Sequence, residues 1–251
     1  MPITKVTSFL NDEIEDSSLM FDKYSSFLLA GRSGSGKTEF ILELLRNHRK
    51  LGHDTSYTRI IICYREDQNG LYENLSHLFS EATHISLFQG TIPFDLCDSL
   101  DPNEEGDLTH HLIIIDDLFS EAFSSPVVQQ LFISGRHKKA TVMLTTQNLF
   151  PPGSKYARTI SLNASYIILF RSRDVNQIKV LSRQLLGSSK DSFLETAFND
   201  AIKNFGYLVI DCSPRQQVDE VRYRTDIFNE QLTVYLPKRT EYSVSLLSSS
   251  S

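Results

Sequence analysis

The sequence has no long hydrophobic run, no basic leader and few cysteines. No apolar stretch approaches the roughly 20 residues that a membrane-spanning helix needs, and the N-terminal segment MPITKVTSFLNDEIEDSS is acidic, unlike a secretory signal. The three cysteines, Cys63, Cys97 and Cys212, are far apart and odd in number, which disfavours a disulfide framework and a metal cluster. We therefore expect an intracellular protein without a membrane span.

The sequence also lacks an excess of positive charge. It has 25 Lys and Arg against 31 Asp and Glu, a net charge of −6, so it is not a generally basic nucleic-acid coat. Any contact with DNA must therefore use a local basic patch, or a patch assembled by oligomerisation. The guanine-recognition pattern Asn-Lys-x-Asp is absent as well, which argues against a GTPase.

The most informative motif is GRSGSGKT, residues 31–38, which matches the phosphate-binding P-loop pattern. Its glycines allow a tight turn in which successive N–H groups face a phosphate. We expect Lys37 to reach the β- and γ-phosphates of a nucleotide, and the Thr38 hydroxyl to bind Mg²⁺. The residues predicted to bind the nucleotide are Gly31, Ser33, Gly34, Ser35, Gly36, Lys37 and Thr38.

The segments on either side of the motif support this interpretation. A short apolar run, residues 25–30, precedes it with the length of a buried strand, and Phe40, Ile41, Leu44 and Leu45 follow with helical spacing. A helix that begins at the loop directs its positive dipole end at the same phosphate. A glycine-rich turn without a ligand is the alternative, and the strand and helix together disfavour it.

A second motif predicts the acidic half of a nucleotide site. Four apolar residues, 112–115, lead into Asp116 and Asp117, as expected for a buried strand that ends at the site. We expect Asp116 to hold Mg²⁺ through water beside Thr38, and Asp117 to orient or deprotonate the attacking water. Many ATPases of this type have Glu at the second position; the shorter Asp implies a closer water or a slower step.

Polar residues after the next strand are candidates for sensing the γ-phosphate. The segment 142–146 leads into Gln147 and Asn148. Gln147 is the first candidate to position the water, and Asn148 is the alternative, which the sequence does not separate from it. A loop amide that only makes turn hydrogen bonds is the competing interpretation.

A basic segment before that strand contains a candidate for an arginine that completes a neighbouring subunit's site. Arg136 is the first choice for this role, in which it would stabilise charge on the transferred phosphoryl group. Arg171 and Arg173, after the following strand, are the runners-up. A solvated basic loop, or a loop that contacts DNA phosphates, explains the segment equally well.

The remaining pattern predicts an α/β fold of the RecA-like P-loop NTPase type, with a mainly parallel central sheet and helices on both faces. Strands are predicted at 59–64, 111–115, 140–145, 166–170 and 207–210, and helices at 70–82, 127–133, 175–186 and 192–204. Segment 86–108 looks less regular, and segment 214–237 looks mixed. We expect one ATPase domain over residues 23–237, a flexible N-terminal arm over 1–22 and a flexible tail over 238–251.

Five segments together resemble one family. In chain order they are GRSGSGKT, IIIDDL, ISGRHKKATVMLTTQNLF, ILFRSRD and YLVIDCSP. They resemble the genome-packaging ATPases of double-stranded DNA viruses, and more narrowly those of poxviruses, adintoviruses, virophages and Polinton (Maverick) elements, within the FtsK/HerA superfamily of DNA-pumping ring ATPases. The resemblance covers about residues 24–230, and the third and fourth segments are its more specific part.

The resemblance implies an oligomeric ring, a hexamer or pentamer, that uses ATP and Mg²⁺ to move duplex DNA into a preformed viral capsid, with the capsid or its portal vertex as a partner. By motif matching it gives Lys37 and Thr38 the phosphate and metal contacts, the pair at 116–117 the acidic role, and Gln147 the sensor role. Arg136 aligns loosely with an arginine finger. Such a protein acts in the infected host cell, in the nucleus or at a cytoplasmic assembly site, or associated with the virion.

Two other functions remain open from the residues alone. A nucleotide-dependent switch or scaffold that hydrolyses slowly is compatible with Asp at position 117. A small-molecule kinase would need a lid with several arginines; Arg171, Arg173 and Arg183 are available for it, but the adjacent acids favour water as the acceptor. Stimulation of hydrolysis by DNA separates the pump from both.

Overall fold

The described residues form one ten-stranded sheet with helices packed against it. The structure, a computed structural model, describes residues 4–9, 20–47, 57–67, 72, 79, 83–100, 109–174, 176–187, 191–213, 221–229 and 231–237. The strands are β1 (Thr4–Phe9), β2 (Ser26–Ala30), β3 (Arg59–Tyr64), β4 (His84–Gln89), β5 (His111–Asp116), β6 (Ala140–Thr146), β7 (Tyr166–Leu169), β8 (Leu208–Asp211), β9 (Tyr223–Thr225) and β10 (Gln231–Leu236).

The helices connect the strands of the sheet. They are α1 (Lys37–Arg46), α2 (Phe119–Ala122), α3 (Pro126–Ser134), α4 (Ala157–Asn163), α5 (Asn176–Leu186) and α6 (Asp191–Ala201), with 3₁₀ turns at Gly135–Lys138 and Lys203–Phe205. Ser125 caps α3, since its hydroxyl accepts a hydrogen bond from the N–H of Val128 and Pro126 occupies the first turn. Among the described helices, none is long and apolar enough to cross a bilayer.

The sheet has a parallel half and an antiparallel half. Its spatial order is β1-β10-β9-β8-β7-β2-β6-β5-β3-β4. The strands from β7 to β4 pair in parallel, so their carboxyl ends meet at one edge. The other four strands, β8, β9, β10 and β1, add to β7 in antiparallel pairs. The parallel half with its helices confirms the predicted P-loop α/β fold.

Apolar side chains cover both faces of the parallel half. In β2, Leu28 and Ala30 belong to one core cluster, and Phe27 and Leu29 belong to the other. Helix α1 contributes to the second cluster, whereas α3, α4, α5 and α6 contribute to the first. The strands are therefore apolar at successive positions, which is why they could be recognised in the sequence.

Several predicted boundaries need correction. The segment 86–108, expected to be less regular, begins within edge strand β4, and the segment 214–237 contains β9 and β10. Part of the expected N-terminal arm, Thr4–Phe9, pairs with β10 in register from Thr4 opposite Leu236 to Phe9 opposite Gln231. Flexibility of the two ends stays a prediction. The predicted tail, most of the helix at 70–82 and most of an acidic stretch at 98–107 lie outside the described residues.

The antiparallel half contains a buried ion pair. Arg224 in β9 is completely buried, and its guanidinium donates to the carboxylate of Asp211 in β8 at 3.1 Å and to the carbonyl of Val221 at 2.8 Å. The guanidinium also lies over the ring of Phe21, 5.4 Å from its centroid. Residues on three separate segments therefore meet around one buried charge.

Candidate nucleotide site

The P-loop lies between the end of β2 and the start of α1. Its backbone is anchored to the neighbouring strands, because the N–H of Gly31 donates to the carbonyl of Thr146 and the N–H of Arg32 donates to the carbonyl of Arg171, both at 3.0 Å. A Cβ at position 31 would lie 2.6 Å from the Cβ of Phe170, so only glycine fits there. Gly36, with φ of 95°, needs the left-handed conformation that glycine adopts freely.

Helix α1 begins at Lys37, at the end of this loop. Its ammonium donates to the carbonyls of Gly31 at 2.8 Å and Arg32 at 3.0 Å. Burial lowers the pKa of Lys37, and the charges of Asp116 and Asp117 oppose that shift. The helix N-terminus has no side-chain cap, so its first N–H groups and the lysine form a site suited to an anion.

Asp116, at the end of β5, is held by hydroxyl groups from three segments. The hydroxyl of Thr38 donates to Oδ2 at 3.1 Å, that of Thr145 donates to Oδ1 at 2.5 Å, and that of Tyr72 also donates to Oδ2. Burial, with a contribution from Asp116, raises the pKa of Tyr72 far above its ordinary value, so the phenol is a donor. The carboxylate is thereby fixed beside the P-loop threonine, and its role in holding Mg²⁺ stays a prediction.

Asp117 follows with its backbone constrained on both sides. Its φ of 55° is left-handed, its N–H donates to the Thr145 hydroxyl at 3.0 Å, and its carbonyl accepts from Nε of Arg65 at 2.9 Å. Arg65 also pairs with both carboxylate oxygens of Glu121 at 3.1 Å. This geometry sets the direction in which the Asp117 side chain leaves the strand.

These groups line one open cleft of about 420 Å³. Its walls are residues 33–39, from the P-loop and the first turn of α1, together with the acidic pair 116–117, Thr145, Tyr72 and Glu66. Hydroxyl and carboxylate oxygens are the ligands that Mg²⁺ prefers, so Thr38 and Asp116 fit that ion, and the loop beside them fits phosphates.

Gln147 and Asn148 lie at the same edge of the sheet but outside this cleft. Gln147 is exposed, and both residues line a neighbouring recess of about 400 Å³ together with Arg32, Ser33 and Arg173. The side-chain oxygen of Asn148 accepts from the N–H of Phe150 at 2.9 Å, which is a turn contact. The sensor role of Gln147 stays a prediction.

Arg136 is far from the P-loop of its own chain. It is exposed, in the turn Gly135–Lys138 that precedes β6, whereas the P-loop lies at the carboxyl end of the parallel strands. The seven residues of β6 separate these edges by roughly 20 Å. Arg171 and Arg173 instead follow β7 at the P-loop edge. A catalytic role for Arg136 is therefore possible only in another subunit's site, and that role stays a prediction.

Two residues that donate to Asp116, Thr145 and Tyr72, have no role among the sequence predictions. Thr145 lies in the predicted strand before the amide, and a hydroxyl next to the end of that strand faces the neighbouring β5, which is the signal that points to it. Tyr72 lies in the segment predicted as a helix, and no local pattern indicates that its phenol reaches Asp116, 44 residues away.

The parallel sheet, the loop between β2 and α1 and the acid at the end of β5 define the P-loop NTPase fold. No protein-family model and no curated protein matches the sequence. Solved structures with a similar fold include the genome packaging NTPase B204 from Sulfolobus turreted icosahedral virus 2 in complex with AMPPCP, at 17% identity and a TM-score of 0.51, over 86% of this chain and 98% of that chain. The B204 complex with ATP-gammaS has a TM-score of 0.50, over 85% and 97%.

Proposed function

We propose that the chain is an ATP-hydrolysing motor that moves double-stranded viral DNA into a preformed capsid in the infected host cell. The observation that carries the proposal is the contact between the P-loop and the acid of the adjacent strand: the Thr38 hydroxyl lies 3.1 Å from the Asp116 carboxylate. This pair occurs in a fold that the chain shares with B204, a genome packaging NTPase with structures in complex with AMPPCP and ATP-gammaS.

The phosphates of ATP would lie on the P-loop. The Lys37 ammonium, which now donates to two loop carbonyls, would exchange them for β- and γ-phosphate oxygens. Thr38 and Asp116 would hold Mg²⁺, which neutralises charge on the transferred phosphoryl group when it is bound. The three hydroxyl groups around Asp116 keep that carboxylate in place before nucleotide arrives.

Asp117 would orient or deprotonate the attacking water. Its backbone is held by Thr145 on one side and Arg65 on the other, so the carboxylate is presented to the cleft at little cost in conformational entropy. Gln147 lies beside Arg32 and Ser33 of the P-loop, and the sensor role proposed for it requires the amide to turn towards the γ-phosphate.

The subunits would form a ring of six or five, in which Arg136 of one subunit completes the site of the next. The position of Arg136 at the edge opposite its own P-loop supports a role between subunits over a role within one. Lys138 in the same basic turn is a candidate contact for DNA phosphates, and the capsid or its portal vertex is the second partner of such a motor.

The test is steady-state ATP hydrolysis with and without duplex DNA, for the wild type, Lys37→Ala and Arg136→Ala proteins. We expect DNA to stimulate hydrolysis and both variants to lose it. Mixing the two variants should restore part of the activity, since a site is complete wherever a Lys37→Ala subunit supplies its Arg136 to the intact P-loop of an Arg136→Ala subunit.

Other outcomes distinguish the alternatives. The motor would be contradicted if DNA did not change the rate of hydrolysis and if an assembled Arg136→Ala protein hydrolysed ATP at the wild-type rate. That result would favour the slow nucleotide switch. ATP binding with no hydrolysis by the wild type would favour the same switch, for which the short Asp117 side chain is the relevant feature.

A further inference from the structure

A second recess lies on the other side of the P-loop from the acidic cleft. It measures about 480 Å³ and is bounded by Gly34 and Ser35 of the loop, by Arg171 after β7, and by the end of α6 with the turn that follows it. In the sheet, β5 and β6 lie on one side of β2, and β7 and β8 lie on the other. The acidic cleft and this recess therefore flank the same phosphate-binding loop.

One wall of the recess is formed by a solvent-exposed aromatic side chain. Phe205 is 84% exposed and lines the recess. Both Phe205, with φ of 62°, and Asn204, with φ of 51°, are left-handed, a conformation that is unfavourable for a bulky residue. Gly206 is required after them, because a Cβ there would clash with the carbonyl oxygen of Ala201.

The recess also contains a polar group suited to a ligand. The exposed amide of Asn199 lines it. An open aromatic face and an amide can recognise a planar heterocycle with polar edges. Ser35 lies between this recess and the acidic cleft, and its buried hydroxyl has no hydrogen-bond partner, although buried hydroxyls are nearly always paired.

We propose that this recess binds the nucleobase of a nucleoside triphosphate, with Phe205 stacked on the base and Asn199 bonded to its edge. The inference rests on the proposed nucleotide function and extends it to specificity. Asp116 lies on the β5 and β6 side of the P-loop, so the γ-phosphate end of the nucleotide would lie on that side. The base is at the opposite end of the nucleotide, so it would lie on the other side of the loop, where Phe205 is.

The first experiment uses the absence of tryptophan in the chain. A Phe205→Trp protein carries one indole at the recess, and ATP should quench its fluorescence by stacking, whereas inorganic tripolyphosphate, which has no base, should not. Phe94→Trp is the matched control, since Phe94 is 88% exposed and does not line the recess. Equal responses of the two indoles to ATP would overturn the proposal.

The second experiment measures affinity by calorimetry with ATP and with tripolyphosphate in the presence of Mg²⁺. Stacking of a base on an aromatic ring is worth about 1–3 kcal/mol, so Phe205→Ala should weaken ATP binding about 5- to 150-fold and leave tripolyphosphate binding unchanged. Phe205→Tyr should bind ATP like the wild type. Asn199→Leu should reduce the discrimination between ATP and GTP.

The two proposals fail in different ways. If Phe205→Ala binds ATP as tightly as the wild type while Lys37→Ala does not, the base lies elsewhere and the nucleotide function stands. If the wild type binds neither ATP nor tripolyphosphate, both proposals are wrong.

Discussion

The two halves of the sheet differ in what they contribute. The parallel half carries the P-loop, Asp116 and Thr145 at the carboxyl edge of adjacent strands, where their side chains converge. The antiparallel half contributes no residue to the acidic cleft among those the structure describes, but it contains the buried Arg224–Asp211 pair and is preceded by the turn with Phe205. The parallel half therefore holds the candidate nucleotide site, and the antiparallel half holds the buried ion pair.

The largest expected effect is a loss of folding stability when the buried ion pair of the antiparallel half is removed. Asp211→Ala leaves the completely buried guanidinium of Arg224 without its carboxylate, and breaking such a pair costs about 3–5 kcal/mol. Urea unfolding followed by circular dichroism should therefore show a loss of that size, or no folded protein. Asp211 also accepts from the N–H of Ser213 at 3.0 Å, so Asp211→Asn, which keeps that acceptor, should lose less. Equal, near-native stability of both variants would contradict this account.

The next effect is a loss of ATPase activity in the parallel half, without a loss of folding stability. Lys37→Met removes the ammonium and keeps most of the side-chain volume, so we expect kcat for ATP to fall by about 10²–10³, the usual loss for one donor at a developing charge. The free energy of unfolding should stay close to the wild-type value. Lys155→Met, at an exposed lysine outside the cleft, is the control and should keep full activity. A matching loss in both variants would point to a nonspecific cause.

A smaller effect tests the hydroxyl groups around Asp116. Thr145→Val removes the group that bonds both Asp116 and the backbone of Asp117, and a hydrogen bond to a charged group is worth about 1.5–3 kcal/mol. We expect kcat to fall about tenfold or more, and the Mg²⁺ concentration needed for half-maximal activity to rise. Thr145→Ser should recover both. Tyr72→Phe, which loses one bond to the same carboxylate, should have a smaller effect in the same direction. An unchanged Mg²⁺ requirement in Thr145→Val would contradict a role for this hydroxyl in placing Asp116.

The same division explains what could be predicted from the sequence. Strand β5 is apolar on both faces and ends in two acids, so both its burial and its functional end can be read from adjacent residues. Strand β1 cannot be read in this way, because its pairing partner β10 lies more than 200 residues further along the chain. Strand β4 is an edge strand whose residues are exposed or half-buried, and it therefore lacks the continuous apolar run.

The site shows the same limit. The P-loop and the pair at 116–117 are local patterns, whereas Tyr72 reaches Asp116 only through the tertiary fold. The orientation of Phe205 depends on two left-handed residues and on the space that Gly206 leaves. None of these features has a local sequence signature, since Asn-Phe-Gly is an ordinary turn composition.

The smallest expected effect concerns the contact between the two outer strands and the turn before β8. Asp200 at the end of α6 pairs with Lys203 at 2.7 Å and with Lys5 of β1 at 3.2 Å, and it accepts from the Tyr235 hydroxyl of β10 at 3.0 Å. The Lys203 hydrogen bond, followed by those of Lys5 and Tyr235, lowers the pKa of Asp200 to about 2. Both lysines are largely exposed, so Asp200→Asn should cost at most about 1 kcal/mol.

The pH dependence of that cost is the sharper measurement. A carboxylate whose pKa is lowered in the folded state stabilises the fold fully above its unfolded pKa, about 4, and the contribution disappears as the pH falls through the folded value near 2. The difference in unfolding free energy between the wild type and Asp200→Asn should therefore be constant at neutral pH and shrink between about pH 4 and about pH 2. A difference that persists undiminished in acid would mean that Asn at position 200 disturbs packing, and that the ionised Asp200 does not tie Lys5 of β1 to the turn before β8.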